Sequence, residues 1–203
     1  MLVTRHYSLV TRHFLSTFNF RPLRNTIHTL RFLSLCFAYP NDAFLPALRE
    51  KQEHIEKNRE TFETLTGLFE QENNEQLQGE YTRLFITGYP NTPCAPYESV
   101  FLEGRMLGAC CRKIQLHYEE WGMTVDPGLV DHISTELEFL AFLASAATLD
   151  ETREDARHTY HAFIQDHLSR WLPLFSGKLS SHAKLAPYRH LASLLETSIQ
   201  PSL

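Results

Sequence analysis

An all-helical, single-domain bundle is the fold this sequence predicts. Three observations carry that reading: apolar residues recur every three to four positions over most of the chain, no alternating apolar and polar stretch of useful length interrupts them, and prolines concentrate in one segment. With 203 residues, 43% of them hydrophobic and only 8 glycine, the chain is long enough to enclose one sizeable core and too apolar to stay disordered.

Residues 1–22 are rich in Arg, Ser, Thr and His, a composition like that of a transit peptide, but they lack the apolar core and cleavage site of a secretory signal. They are expected to form a flexible basic extension ahead of a helical domain at 23–203. Thr87 to Pro96, with Gly88, Pro90, Pro93 and Pro96, must be a loop, because proline removes backbone donors and fixes φ. It is expected to act as a hinge between a front and a rear group of helices. Leu107, Cys110, Cys111, Ile114, Tyr118 and Trp121 then form one apolar stripe. Asp126-Pro127 reads as an N-cap with proline in the first turn, starting a helix that carries Asp131 and His132 and continues through Ile133, Leu137, Leu140, Ala141 and Ala144. Two more stripes come after it, Tyr160, Phe163, Ile164, His167, Leu168 and Trp171, and then Leu185, Tyr188, Leu191, Ala192, Leu195 and Ile199.

Charge is divided unevenly. Residues 1–41 hold five arginines and no acid, so the remainder carries 14 basic against 24 acidic side chains. An acidic body argues against a nucleic-acid partner and for a cationic one, although a solvated acidic surface gives the same composition. No apolar run reaches the roughly 18 residues of a membrane span. Cys36, Cys94, Cys110 and Cys111 include no C-x-x-C pair, which fits a reducing cytoplasm, and they are read as small buried apolar side chains without chemistry.

Catalytic and metal constellations are weak. Asp131 and His132 are sequence neighbours, about 100° apart around a helix, and cannot make the carboxylate-to-imidazole bond that a Ser99 nucleophile would need. His158 and His161 share a face, but no third ligand is placed by spacing, so no metal site and no cofactor are expected. Gly104-x-x-x-Gly108 lacks the lysine of a phosphate-binding loop. On a single helix, His132 would share a face with Glu136, and Asp131 with Thr135, giving a polar strip beside an apolar one. Such a strip suits a peptide that carries arginines ahead of a hydrophobic segment, since carboxylates take paired hydrogen bonds from guanidinium.

Four segments in order carry a family resemblance: Glu80-Tyr81-Thr82-Arg83-Leu84-Phe85; Pro96-Tyr97-Glu98-Ser99-Val100 after the proline loop; Asp131-His132-Ile133-Ser134-Thr135-Glu136-Leu137-Glu138-Phe139; and Phe163 to Pro173, which reads F-x-x-x-H-L-x-x-W-x-P. Together they resemble the TorD/DmsD/NarJ family of molybdoenzyme maturation chaperones. Arg31-Phe32-Leu33-Ser34 through Tyr39-Pro40 is similar to that family's first helix and turn.

The resemblance implies a cytoplasmic, non-enzymatic chaperone, monomeric or homodimeric. It would bind the twin-arginine signal peptide and the apo form of a molybdopterin-containing oxidoreductase, delaying export until the cofactor is in place. By carry-over, the peptide-binding residues are Tyr97, Glu98, Ser99, Asp131, His132 and Glu136. Helix capping for Asp131 and a satisfied structural histidine for His132 remain open beside that role. Tyr81, Leu84 and Phe85 are expected to pack, and His167 and Trp171 to dock the rear helices. Two other classes stay open: a GTP-hydrolysing enzyme using Glu98, Asp131 and His132, and an assembly subunit retained in a redox complex.

Overall fold

A computed structural model describes residues 21–88 and 91–199, with side chains from residue 23 onward. The basic extension at 1–22 therefore lies outside the described residues, apart from the Arg21 backbone and its neighbour, which already belong to α1. The described residues form ten α-helices in order: α1 (Arg21–Leu35), α2 (Phe44–Glu53), α3 (Arg59–Glu70), α4 (Asn74–Tyr81), α5 (Glu98–Glu103), α6 (Cys110–Glu120), α7 (Ile133–Ala146), α8 (Arg153–Phe163), α9 (Ser169–His182) and α10 (Ala186–Ser198). Among the described residues there is no strand, and a single antiparallel bridge joins Tyr97 to His132. The all-helical prediction holds.

The proline loop does connect α4 to α5, but helices from its two sides share one core. The most extensive helix contact is α1 along α7, and α3 packs on α10. Aromatic rings knit the two groups: Phe85 meets Tyr188 at 5.5 Å, and Phe69 meets Tyr188 at 5.5 Å. Edge-to-face pairs of this kind add roughly 0.5–1.5 kcal/mol each beyond their burial. The loop is tied back on itself as well. Cys94, fully buried, donates its amide to the Leu84 carbonyl at 3.0 Å. At Gly88 an added Cβ would stand 2.7 Å from the Asn91 carbonyl oxygen and from Pro93, so only glycine fits.

Two wide π-helical turns interrupt the regular helix, Thr82–Ile86 after α4 and Ile164–Leu168 between α8 and α9. Both fall inside segments that carry the family resemblance. A π-turn adds a residue and rotates the next stretch of helix about its axis, and such turns frequently mark functional positions. In α9, Pro173 comes soon after the second of them and leaves the Ser169 carbonyl without its helical donor.

Two expectations are corrected. Leu107 does not belong to the α6 stripe; it lies in an exposed strap between α5 and α6 with φ 55°, a left-handed conformation unfavourable for leucine. Nor does Asp126-Pro127 start the long helix. Asp126 accepts from the Gly128 amide at 2.8 Å and caps a 3-10 turn, Pro127–Leu129, that ends at once, and α7 starts at Ile133. The cause is the bridge to Tyr97, which holds His132 extended at φ −78° and ψ 136°.

Candidate functional site

The bridge brings two distant segments of the chain together. Glu98 donates its amide to the Asp131 carbonyl at 3.0 Å, and Ile133 donates to the Pro96 carbonyl at 2.9 Å. Around that clasp the six predicted residues converge: Tyr97, Glu98, Ser99, Asp131, His132 and Glu136. They do not form the exposed strip expected from one continuous helix. Glu98, Ser99, Asp131 and Glu136 are completely buried, His132 is 7% exposed, and only Tyr97 is half-buried. Because Asp131 and His132 precede α7, the four-residue spacings to Thr135 and Glu136 do not describe a shared helical face.

Each polar group has a structural task. Asp131 Oδ2 accepts the Ser99 amide at 2.8 Å, giving α5 a carboxylate at its N-terminal end, where the helix dipole favours negative charge. His132 is the N-cap of α7: its Nδ1 accepts the Ser134 amide at 3.2 Å and lies 2.6 Å from the Ser134 hydroxyl. A ring nitrogen that accepts an amide carries no proton, so the ring is neutral with its proton on Nε2. Burial pushes the His132 pKa down to about 4, against the opposing pull of the Asp131 charge. The ring also meets Tyr97 edge-on at 5.0 Å. Both structural alternatives left open by the sequence are thus realised, helix capping by each residue.

Beneath the clasp lie two more carboxylates. Glu98 takes the His167 imidazole, Nδ1 standing 3.0 and 3.2 Å from its two oxygens. Glu136 Oε2 accepts the Trp171 indole N–H at 3.2 Å. Burial, and then the charge of Glu98, raise the Glu136 pKa well above the ordinary carboxylate range, with the Trp171 bond opposing them. Spacing alone sets His167 and Trp171 apart as a docking seam, yet they supply two of the cluster's few partners. The π-turn at Ile164–Leu168 carries His167. Their position inside a segment resembling the same family was the signal that they belong with Glu98 and Glu136.

An open groove of about 260 Å³ adjoins the cluster, lined by Tyr118, Glu119, Met123, Val125, Pro127 and Val130. Gln115 and Thr124 line it too, Glu119 is its one acid, and the Tyr118 hydroxyl donates to the Val130 carbonyl at 3.0 Å, one residue before Asp131.

Glu80 and its neighbours form a separate node. Tyr81, Leu84 and Phe85 are buried as expected, and the Tyr81 hydroxyl donates to the Phe37 carbonyl at 2.8 Å. Glu80 receives the Arg83 guanidinium at 2.8 and 2.9 Å, together with the amides of Lys184 and Leu185 just ahead of α10. Burial by itself would raise its pKa, but these donors hold it below the ordinary value.

Comparison with known proteins decides the family. A family model described as nitrate reductase delta subunit matches residues 49–176, a stretch that includes all four signature segments. The chain belongs to the TorD/DmsD/NarJ family of molybdoenzyme maturation chaperones. A TorD chaperone of Vibrio cholerae is 26% identical over 165 residues, 77% of this chain and 74% of its own length. A chlorate reductase assembly chaperone of Ideonella dechloratans is 30% identical over 134 residues, 61% of this chain and 68% of its own. Among solved structures, one described as a redox enzyme maturation protein from Archaeoglobus fulgidus aligns with a TM-score of 0.61 at 25% identity, covering 94% of this chain and 96% of that one.

Proposed function

We propose that this TorD-family protein is a cytoplasmic maturation chaperone. Its client is the apo form of a molybdopterin-containing oxidoreductase, which it engages through an N-terminal, arginine-bearing signal segment and holds until the cofactor is inserted. The observation that carries this reading is the family match together with relatives named as TorD and as a chlorate reductase assembly chaperone. The excess of acid in the body of the chain supports a cationic client segment. So does the groove next to Val130, whose lining combines Met123, Val125 and Pro127 with the acid Glu119. In this reading Tyr97 touches the peptide, whereas Glu98, Ser99, Asp131, His132 and Glu136 set the position of the loop that presents it.

The enzymatic alternative receives less support. Its acid and base, Asp131 and His132, are buried and occupied as helix caps.

Titration calorimetry with a synthetic twin-arginine signal peptide tests the proposal. Binding should weaken as salt rises, because exposed ion pairs are screened. A peptide with both arginines replaced by glutamine should bind on the order of tenfold or more weakly, the equivalent of about 1.4 kcal/mol. Equal affinity for the two peptides would overturn the arginine-recognition reading. Failure of the chain to capture either the peptide or the apo-reductase would overturn the chaperone assignment.

A further inference from the structure

Ser99 on α5, Cys110 and Cys111 at the start of α6, and Asp131 just before α7 meet at one point. The two sulfurs and a carboxylate oxygen of Asp131 all lie within 4.8 Å of one another. The chain is built to bring them there. Glu103, at the end of α5, accepts the Ala109 and Cys110 amides at 2.7 and 2.8 Å and so fixes the first turn of α6 against α5. Gly108 leaves room for the Glu103 carboxyl group in this position, which a Cβ there would displace. The Leu107 backbone, left-handed at φ 55°, bears the cost of the tight return.

Two buried oxygens at this point are poorly satisfied. Asp131 Oδ1 and Ser99 Oγ belong to fully buried side chains and meet no N–H or O–H donor among the described residues; what they face is the Cys111 thiol, a weak hydrogen-bonding group. A buried carboxylate oxygen has the stronger need of a partner. Asp131 and Ser99 also both bear on the Cys111 thiol. The surroundings are short of positive charge, because Glu98 and Glu136 lie close enough to Asp131 to act on the same groups, and the His167 imidazole is taken up by Glu98.

We infer that Cys110, Cys111 and Asp131 form a binding site for a thiophilic divalent cation, Zn²⁺ by preference, its fourth position filled by a water that the Ser99 hydroxyl can hold. Tetrahedral zinc with Zn–S bonds of about 2.3 Å sets its sulfurs about 3.8 Å apart, so donors already within 4.8 Å need only small rotamer changes. Two sulfurs exclude Mg²⁺ and Ca²⁺, which take oxygen ligands. Binding would satisfy the Asp131 and Ser99 oxygens and lock α5, α6 and the entry to α7 into one unit directly behind Tyr97. A cysteine thiol is protonated near neutrality and binds zinc as the thiolate, so binding must release the protons of Cys110 and Cys111.

The test uses the purified full chain under reducing conditions, with Co²⁺ as the spectroscopic probe for Zn²⁺. One equivalent of Co²⁺ should produce a thiolate-to-metal charge-transfer band that one equivalent of Zn²⁺ abolishes. The band should disappear in Cys110→Ser with Cys111→Ser and persist in Cys94→Ser. Absence of the band in the wild-type protein, or its persistence in the double variant, would overturn the site. A measurement on the wild-type chain covers the case in which the variants misfold. Zn²⁺ titrated in buffers of different ionisation enthalpy should release about two protons per ion, and release of fewer than one would show that the ion is not held by the thiols.

Discussion

Two buried acidic nodes, both inside family-signature segments, are built to opposite standards. At Glu80 one carboxylate meets a guanidinium and two backbone amides, and its pKa falls below the ordinary range despite burial. At the clasp three carboxylates, Glu98, Asp131 and Glu136, share one imidazole, one indole N–H and one amide. There burial pushes the Glu136 pKa well above the ordinary range, and one oxygen each of Asp131 and Glu136 meets no N–H or O–H donor among the described residues. A fully compensated carboxylate is a rivet, tying the end of α4 to the start of α10. An under-compensated group stores unfavourable free energy that a ligand or a rearrangement can release. The clasp, not the Glu80 node, is therefore where this fold has binding capacity in reserve.

The largest expected effect comes from His132, whose folded pKa of about 4 lies below its ordinary 6.5. Between those values the unfolded chain binds the proton and the folded chain does not, so stability is complete above pH 6.5 and falls as the pH drops toward 4. The loss should amount to about 3 kcal/mol. His132→Asn keeps an N-cap acceptor for α7 but does not titrate, and urea denaturation at several pH values should show that slope flattened. An unchanged slope in the variant would place the acid sensitivity elsewhere.

Glu80→Gln sharpens the comparison from the other node. Loss of a charge that accepts several hydrogen bonds should lower stability by about 2 kcal/mol at neutral pH. Since the folded pKa is depressed, the contribution is present above the ordinary carboxylate value and disappears as the pH falls through the folded one; at strongly acidic pH, wild type and variant should converge. Glu136→Gln should cost least, because glutamine accepts from Trp171 without the charge that burial disfavours. With its folded pKa raised, Glu136 favours the folded state below the ordinary carboxylate value and loses that advantage as the pH rises from there through the folded pKa, so the variant's stability relative to wild type should improve as the pH rises over that range. A Glu136→Gln loss as large as that of Glu80→Gln would erase the distinction between the nodes.

Much of this architecture was legible in the sequence. Three-to-four spacing over Ile133 to Ala144 and over Tyr188 to Leu195 marks α7 and α10, and proline density marks the loop. The clasp residues were legible as a set, since the P-Y-E-S and D-H-x-x-x-E segments both contribute. Their burial was not. A carboxylate reads as exposed unless its partner is known, and the partner of Asp131 is an amide 32 positions away. The Glu98 contact to His167 spans 69 positions, and the Glu80 contact to Lys184 spans 104. The π-turn at Ile164–Leu168 was hidden because its apolar residues still satisfy helical spacing when one extra residue is wound in. Cys110 and Cys111 read as apolar filler because Asp131, 20 positions further on, is placed beside them only by the fold.

The most direct test of the maturation role is the cofactor content of a client. A reductase that co-purifies with this chain would be expressed with and without it, purified, and assayed for bound molybdopterin per polypeptide. Near-stoichiometric cofactor in the presence of this protein and a largely apo enzyme in its absence is the expected result; equal cofactor content in the two preparations would contradict it.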